Sequence, residues 1–340
     1  MSEGSADLEA IGFDDARRAE MAAMGDEFSP ARVTRIDRGM ATVRSESGDT
    51  RVTTPVGIAL AVGDWVVLAS NGALHSVLER RGAVSRLVGH EHQTLQVVAA
   101  NVDLIFLVRP LDLSISPGRI QAMLTLSYDS GATPVVLLTK ADLAEEPSEF
   151  VESIASLAPG VEVVVASVVT GEGIERVRQL AQGRTIVFLG ESGGGKSTLT
   201  NLLVGEELLA VGTTKAGGQG RHTTSHRELV ALPGGGAIID TPGVREVVAA
   251  ISRDAVDAGF ADIAELASRC RFADCTHGAE PGCAVAAALA DGSLDPARYD
   301  AYDAAMRDAA WNERRVDKAA QAELRKQYRA MTRERRSDSW

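Results

Sequence analysis

A glycine-rich stretch with a lysine and a serine carries the strongest chemical signal in this 340-residue sequence. It reads Gly190-Glu191-Ser192-Gly193-Gly194-Gly195-Lys196-Ser197-Thr198, after an apolar stretch typical of a buried strand and before a helical pattern. Glycines in this setting let backbone N–H groups converge on phosphate oxygens, Lys196 neutralises phosphate charge, and Ser197 can bind Mg²⁺. The stretch therefore predicts a nucleoside triphosphate site; the alternative is a glycine-rich turn that binds nothing.

A second set of oxygen ligands lies downstream. Asp240-Thr-Pro-Gly243 closes another apolar strand, where a phosphate-binding enzyme needs a carboxylate for Mg²⁺ and a glycine that senses the γ-phosphate. Before it, Gly220-Arg-His-Thr-Thr224 is a polar stretch of the kind that orders around Mg²⁺ through a threonine hydroxyl, although alone it is compatible with an ordinary loop. The predicted magnesium ligands are Ser197, Thr223, Thr224 and Asp240.

Two further segments are predicted to select the base. In Thr139-Lys140-Ala-Asp142 the carboxylate can accept from both the ring N–H and the exocyclic amine of guanine, while the lysine stem covers the base. The segment resembles the Asn-Lys-x-Asp motif of GTPases with Thr139 in place of asparagine, so we expect one amide that ties this loop to the phosphate loop to be missing. Ser167-Val-Val-Thr-Gly-Glu-Gly173 resembles the segment that closes over guanine. Each segment alone also fits an ordinary strand-to-helix turn.

All three cysteines of the chain cluster beside one histidine. The spacing Cys270-x₄-Cys275-x-His277-x₅-Cys283 supplies three thiolates and one imidazole, the closed tetrahedral set of a structural zinc site. The alternative is a set of buried free thiols. An odd, clustered number of cysteines favours metal binding over a disulfide.

Charge and composition bound the remaining functions. Forty-seven acidic against 35 basic residues give a net charge of −12, which argues against indiscriminate binding to polyanions. The basic stretch 307–336 nevertheless indicates either one specific polyanionic partner or a solvated helix whose arginines pair with its own acids. No apolar stretch reaches the ~20 residues of a membrane span, and no secretory signal is apparent, so we expect a cytoplasmic protein without membrane contact.

The apolar patterning predicts four segments. Residues 1–30 are expected to be an acidic, disordered leader. Residues 31–85 hold five short strand patterns, which predict a small closed barrel of the oligonucleotide-binding (OB) type or an SH3-like barrel used only for packing. Residues 95–250 alternate strand and helix patterns and predict a parallel sheet with crossover helices. Residues 251–340 are helical and contain the cysteine cluster.

The order of the motifs identifies a family resemblance. The base-selecting segments at 139 and 167 precede the phosphate loop at 190, whereas in ordinary GTPases they follow it, so the domain is circularly permuted. With this order, Val62-Gly-Asp-Trp65, Ala99-Ala-Asn-Val-Asp103, Asp240-Thr-Pro-Gly-Val-Arg245 and the cysteine cluster, the chain resembles the bacterial family of circularly permuted, ribosome small-subunit-dependent GTPase A.

The resemblance implies an α/β fold: a permuted P-loop GTPase domain with an N-terminal OB-like barrel and a C-terminal helical zinc-binding domain. It implies hydrolysis of GTP to GDP and phosphate, stimulated by the 30S subunit during its late maturation, with ribosomal RNA as a partner, one structural Zn²⁺, and Mg²⁺ with GTP. The expected GTP-binding residues are Thr139, Lys140, Asp142, Ser167, the nine residues of the phosphate loop from Gly190 to Thr198, Asp240 and Gly243.

The group that positions the attacking water is the least defined part of this expectation. Val244 stands where Ras-like enzymes carry a glutamine. We expect His222 to take that role, with Lys196 and Thr224 as the other catalytic residues; the alternative is that His222 is solvated or contacts RNA.

Two other functions fit the same residues. One is a nucleotide-gated RNA-binding module in which hydrolysis is incidental. The other is a permuted P-loop ATPase, suggested only by Thr139. The sequence carries no signal for dimerisation, so we expect a monomer.

Overall fold

The computed structural model describes residues 8–37, 39–55, 57–88, 94–111, 117–190, 193–205, 228–240, 253–272, 275–278, 280–307 and 309–310. The chain forms two compact units. The first comprises Met1–Val84 with Val97–Val247, and the second comprises Ser85–Gln96 with Val248–Trp340. None of the described helices is both long and apolar enough to span a membrane.

A parallel sheet forms the centre of the first unit. Its strands are β8 (Leu104–Pro110), β9 (Thr133–Thr139), β10 (Glu162–Val165), β11 (Thr185–Gly190) and β13 (Ala237–Asp240). They lie side by side in the order β10, β9, β8, β11, β13, each parallel to its neighbour. Near-continuous apolar strands of this kind require cover on both faces of the sheet, as the sequence predicts.

Helices connect these strands. They are α2 (Pro117–Asp129), α3 (Pro147–Leu157), α4 (Ile174–Ala181) and α5 (Lys196–Val204). On one face, α4 and α5 pack against alternate side chains of the strands in a cluster that includes Phe106, Val108, Val177, Phe188, Leu199 and Ile238. Helices alternate with strands here, as the sequence pattern predicts, because the helical spacing of apolar residues is a local property.

Five antiparallel strands precede the parallel sheet. They are β1 (Phe28–Asp37), β2 (Met40–Ser45), β3 (Gly48–Thr53), β4 (Trp65–Ala69) and β5 (Leu74–Val77). They enclose an apolar cluster that includes Val33, Val43, Val52, Val66 and Leu68. The strand path runs from β3 through β2, β1 and β4 to β5, and β3 and β5 are not paired in the described residues. The expected small barrel is therefore open at that point.

The barrel also continues the parallel sheet, which the sequence did not predict. Strand β12 (Glu228–Ala231) pairs antiparallel with β13, and Glu228 pairs with Arg35 of β1. One hydrogen-bonded strand path therefore runs from β10 to β3.

The expectation of a disordered leader is wrong for residues 8–30. Asp14 caps the helix α1 (Asp15–Ala22) by accepting from the backbone N–H of Arg17 at 2.8 Å. Leu8 and Ile11 are fully buried, and Arg17 is only 1% exposed. The acidic composition suggested a solvated segment, but these few apolar residues supply enough burial to order it. Residues 1–7 lie outside the described residues.

The second unit is built mainly of short helices. These are α6 (Arg253–Gly259), α7 (Ala261–Ser268) and α8 (Ala284–Asp291), and residues 296–307 and 309–310 are also helical. Phe260 and Tyr302 pack edge to face at 5.5 Å between ring centroids. Strands β6 (Ala83–Val88) and β7 (Thr94–Ala100) form a separate two-stranded sheet, which was not predicted.

Candidate nucleotide site and metal centre

The predicted site segments lie at one edge of the parallel sheet. Strands β9, β10, β11 and β13 end at or just before Thr139, Ala166, Gly190 and Asp240, and parallel strands place their carboxyl ends at the same edge. This is the edge at which open α/β sheets bind ligands.

Glycine is required at the start of the phosphate loop. Gly190 has φ 148°, and a Cβ there would lie 2.2 Å from the carbonyl oxygen of Val108 on the neighbouring strand. Gly195 adopts a left-handed conformation immediately before α5. Glycine at these two described ends therefore lets the chain turn away from the strand and enter the helix, whose N-terminus presents backbone N–H groups suited to an anion.

The lysine of the loop lies across it. Lys196 Nζ donates to the carbonyl oxygen of Gly190 at 2.8 Å, which places the ammonium group over the loop's entry. Ser197 follows at the exposed first turn of α5. An ammonium and a hydroxyl at a helix N-terminus are suited to phosphate and to a phosphate-bound cation.

The tie between the base-selecting loop and the phosphate loop is present, contrary to expectation. Thr139 is 4% exposed, and its hydroxyl donates to the carbonyl oxygen of Gly194 at 2.8 Å. The threonine side chain, although shorter than asparagine and without an amide, therefore connects to the phosphate loop, 55 residues later in the sequence.

The carboxylate of Asp142, which the sequence predicts to select the base, is held in place by Ser167. The Ser167 hydroxyl accepts from the backbone N–H groups of Val169 and Thr170, each at 3.2 Å, and donates to Asp142 Oδ1 at 2.5 Å. Because two N–H donors occupy the serine oxygen, its single proton is directed to the carboxylate. Asp142 itself is exposed, so its remaining lone pairs can accept from a ligand.

The turn that carries Ser167 has its own steric requirement. Gly173 has φ 68°, and a Cβ there would lie 1.9 Å from the carbonyl oxygen of Val165. Lys140, between the tie and the carboxylate, adopts a left-handed conformation with φ 59°. The two segments are joined by the Asp142–Ser167 hydrogen bond and by the backbone N–H of Ala141, which donates to the carbonyl oxygen of Ala166 at 3.2 Å.

Two large apolar side chains next to the carboxylate were not selected by sequence reasoning. Leu143 follows Asp142 and is 61% exposed, and Val169 lies on the Ser167 turn and is 82% exposed. Exposed apolar groups beside a hydrogen-bonding edge are suited to the faces of a flat heterocycle. A single leucine or valine after a strand has no pattern that would reveal this position.

The structure describes only part of the predicted set. Thr139, Lys140, Asp142, Ser167, Gly190 and Asp240, together with Gly193, Gly194, Gly195, Lys196, Ser197 and Thr198, lie in or beside this edge of the sheet. Six predicted residues lie outside the described residues: Glu191, Ser192, His222, Thr223, Thr224 and Gly243.

The cysteine cluster of the second unit has the geometry of a four-ligand metal site. One donor atom each from Cys270, Cys275, His277 and Cys283 lies within 4.8 Å of all the others. Cys270 Sγ lies 3.9 Å from Cys283 Sγ, and both sulfurs lie 3.7 Å from His277 Nδ1. Zn–S bonds of about 2.3 Å in a tetrahedron place two sulfurs about 3.8 Å apart, so the donor set fits zinc.

Local structure presents these four donors. His277 adopts a left-handed conformation with φ 63°, and Cys283 caps α8 by accepting from the backbone N–H of Ala286 at 3.3 Å. The backbone N–H of His277 lowers the pKa of Cys275, but burial and the adjacent thiols of Cys283 and Cys270 outweigh it and raise that pKa to about 11. Three thiols this close favour a cation that would bind them as thiolates.

Comparisons with known proteins agree with this geometry. The family model described as RsgA GTPase matches residues 77–250. A protein named "Small ribosomal subunit biogenesis GTPase RsgA" from Streptomyces coelicolor is 41% identical over 336 residues, covering 95% of this chain and 92% of the relative. The chain belongs to the RsgA GTPase family.

A further relative and two solved structures are also similar to this chain. A protein of the same name from Opitutus terrae is 40% identical over 336 residues, covering 91% of this chain and 92% of the relative. The crystal structure of YjeQ from Thermotoga maritima matches with a TM-score of 0.64 at 24% identity, covering 83% of this chain and 99% of that one. That of YloQ, a circularly permuted GTPase, matches with a TM-score of 0.63 at 24% identity, covering 84% and 96%. The predicted permuted α/β fold is confirmed.

Proposed function

We propose that this chain is a GTPase that acts in late maturation of the small ribosomal subunit and hydrolyses GTP to GDP and phosphate. The observation that carries the proposal is the pair of hydrogen bonds that joins the site: Ser167 to Asp142, and Thr139 to Gly194. The first orients a carboxylate for guanine, and the second links it to a loop for phosphates. The names of the relatives support the ribosomal role.

Guanine selection follows from the donors and acceptors. Asp142 accepts from the ring N–H and the amine of guanine, while Ser167 holds the carboxylate against rotation. Lys140, Leu143 and Val169 supply the cover over the ring. Adenine presents no matching pair of donors, so the same carboxylate disfavours it.

The phosphates bind at the N-terminus of α5. Lys196 exchanges the Gly190 carbonyl oxygen for phosphate oxygens, and the backbone N–H groups of the loop donate to the rest. Ser197 and Asp240 offer the hydroxyl and carboxylate oxygens that a hard cation prefers, and with Thr223 and Thr224 they would hold Mg²⁺. When bound, Mg²⁺ stabilises the negative charge that develops on the phosphate oxygens. His222 would orient the attacking water, and Thr224 would contact the γ-phosphate.

The remaining segments have supporting roles in this proposal. The barrel of residues 31–85 and the basic stretch 307–336 would contact ribosomal RNA, while residues 95–250 form the GTPase domain. Residues 251–340 would hold one structural Zn²⁺ through Cys270, Cys275, His277 and Cys283. A factor with this partner works in the cytoplasm.

The test is steady-state GTP hydrolysis with and without purified 30S subunits. We expect slow turnover alone, clear stimulation by the subunit, and little competition by ATP. Lys196→Ala should abolish turnover, and His222→Ala should bind GTP normally while losing most of the stimulation. Absence of stimulation would favour the nucleotide-gated RNA-binding module, and strong competition by ATP would favour the ATPase.

A further inference from the structure

Two buried arginines lie at the junction of the barrel and the parallel sheet. Arg32 of β1 and Arg17 of α1 are each 1% exposed. A buried guanidinium without hydrogen-bond acceptors costs several kcal/mol, so the groups that satisfy each arginine must stay in place.

The acceptors of Arg32 come from four different parts of the first unit. Its guanidinium donates to the Thr185 hydroxyl at 2.7 Å, to the Asn101 carbonyl oxygen at 3.4 Å and to the Gly63 carbonyl oxygen at 3.3 Å. It also donates to the carbonyl oxygen of Ile11. Burial lowers the pKa of Arg32 to about 10. Thr185 is the first residue of β11, the strand that ends in the phosphate loop.

Arg17 connects the N-terminal segment to the same point. Its guanidinium donates to the Asn101 side-chain oxygen at 2.8 Å and to the Glu79 carbonyl oxygen at 2.7 Å. Asn101 in turn donates from its amide nitrogen to the Gly63 carbonyl oxygen at 3.0 Å. Asn101 therefore touches the N-terminal segment, the barrel and the entry to the parallel sheet.

Backbone and apolar contacts complete the junction. The backbone N–H of Gly236, in the turn before β13, donates to the Ala10 carbonyl oxygen at 2.8 Å. The Phe13 ring packs on Trp65 of the barrel, with centroids 5.2 Å apart. Residues 8–24, hereafter the clasp, thus contact the barrel on one side and β13's turn on the other.

We propose that the clasp and Arg32 fasten the barrel to the phosphate-loop sheet so that the two open and close as a single cooperative body, and nucleotide binding stabilises the barrel as strongly as the sheet. Separation of the barrel would break the hydrogen bonds of Arg32 to Thr185 and Asn101 and those of Arg17 to Glu79 and Asn101, so local opening of the barrel alone is disfavoured, although Arg17 keeps its ion pair with Glu20 inside the clasp. A five-stranded domain of this size has a small free energy of unfolding by itself, so its attachment to the sheet contributes much of its stability.

The test is hydrogen exchange of the full chain with and without GDP and Mg²⁺, read by mass spectrometry on barrel peptides (β1, β2, β4) and on sheet peptides (β8, β11). A ligand that binds only the folded state divides the equilibrium constant for opening by one plus the ratio of ligand concentration to Kd. At a GDP concentration 100 times Kd, both sets of peptides should therefore exchange about 100-fold more slowly. Protection of the sheet peptides without protection of the barrel peptides would overturn the proposal.

Variants test whether these arginines couple the barrel to the sheet. In Arg17→Met and Arg32→Met we expect GDP to protect the sheet peptides as before and the barrel peptides by less than about 2-fold. Arg44→Met, which removes a partly exposed ion pair with Asp49 on the β2–β3 hairpin, is the matched control and should retain barrel protection. If both arginine variants also retain it, the clasp and Arg32 are not the fastening elements.

A nucleotide-free measurement keeps this inference apart from the proposed function. Calorimetry gives Kd for GDP directly, and absence of binding would contradict the proposed function alone. Exchange followed across urea concentrations then tests the clasp without nucleotide. Barrel and sheet peptides should lose protection at one common midpoint in the unaltered chain and at two in Arg17→Met; two midpoints in the unaltered chain would refute the clasp.

Discussion

Thr139 shows how one hydroxyl preserves a connection that the sequence suggested was lost. The threonine side chain has a single hydrogen-bond donor, its hydroxyl, which here donates to the carbonyl oxygen of Gly194. Thr139 is only 4% exposed. The hydrogen bond fixes the distance between the loop for the base and the loop for the phosphates. A ligand that spans both loops therefore meets a preorganised site.

Replacement of Thr139 tests that role. Thr139→Val leaves a buried carbonyl oxygen without its donor, so we expect GDP affinity to fall about 10-fold, while Thr139→Ser should restore most of it. Titration calorimetry gives both values. Thr133→Val, at the exposed first residue of the same strand, is the control and should bind normally. An equal loss in the serine variant would show that the methyl group, rather than the hydroxyl, is what counts.

Replacement of Asp142 tests its predicted role in base selection, because the hydrogen bond from Ser167 fixes which way an amide at this position would face. Ser167 donates to Oδ1, so in Asp142→Asn the amide oxygen should face the serine and the NH₂ group should face the base. The ring N–H and the amine of guanine then face the NH₂ group of the amide instead of a carboxylate oxygen. We expect GDP to bind at least about 100-fold more weakly.

Binding of xanthine nucleotides distinguishes a change in base preference from a general loss of nucleotide binding in this variant. Xanthine carries a carbonyl oxygen where guanine carries its amine, so Asp142→Asn should bind XDP more tightly than GDP in competition against a labelled nucleotide. Glu172→Gln, on the Ser167 turn, should keep the preference for GDP. A variant that still prefers GDP would remove Asp142 from base selection.

The helix α8 and the loop before it depend on one cluster of side chains. The residues described between Cys270 and Cys283 form no helix or strand, and Cys283 both belongs to the cluster and caps α8. Metal binding would therefore order the loop and the helix start together. Sites of this kind contribute roughly 10 kcal/mol of binding free energy that becomes folding free energy.

Metal content and unfolding measure this dependence. The purified chain should carry one zinc per molecule by elemental analysis, and a strong chelator should lower both the helical circular dichroism signal and the urea midpoint. His277→Gln should lose the metal, whereas His75→Gln, in β5, should retain it. Retention of zinc by His277→Gln would mean that the four donors do not form the site.

At the scale of the whole molecule, the clasp (residues 8–24) is part of the folded structure. Phe13 is 7% exposed and packs on Trp65, whose side chain is 2% exposed. This contact joins residues far apart in sequence, so its loss affects the barrel as well as the segment.

Truncation of Phe13 should be costly. Phe13→Ala should lower the free energy of unfolding by about 3 kcal/mol in urea titrations, because the change leaves a cavity against Trp65. Leu143→Ala, at a side chain 61% exposed, should change it by less than about 0.5 kcal/mol. A cost for Phe13→Ala below about 1 kcal/mol would place the segment outside the cooperative core.

The elements that were predicted correctly share a physical origin. Apolar strands such as Leu104–Pro110, the helix after Lys196 and the glycines of the phosphate loop reflect local backbone and burial requirements, which a short stretch of sequence records. The grouping of the four candidate metal ligands, whose donor atoms lie within 4.8 Å of one another, has the same local origin, since all four come from one short segment. Strand β12 was missed because four residues with an exposed glutamate carry too little pattern.

The sequence by itself determined the alternation of strands and helices in the parallel sheet, the residues at the strand ends and the four candidate metal ligands, because each depends on near neighbours in the chain. Only the tertiary structure decided that Thr139 reaches Gly194, that Arg32 reaches Thr185 and that the acidic N-terminal segment is folded. These depend on partners 55 and 153 residues away, whose positions arise only when the sheet and the barrel have packed.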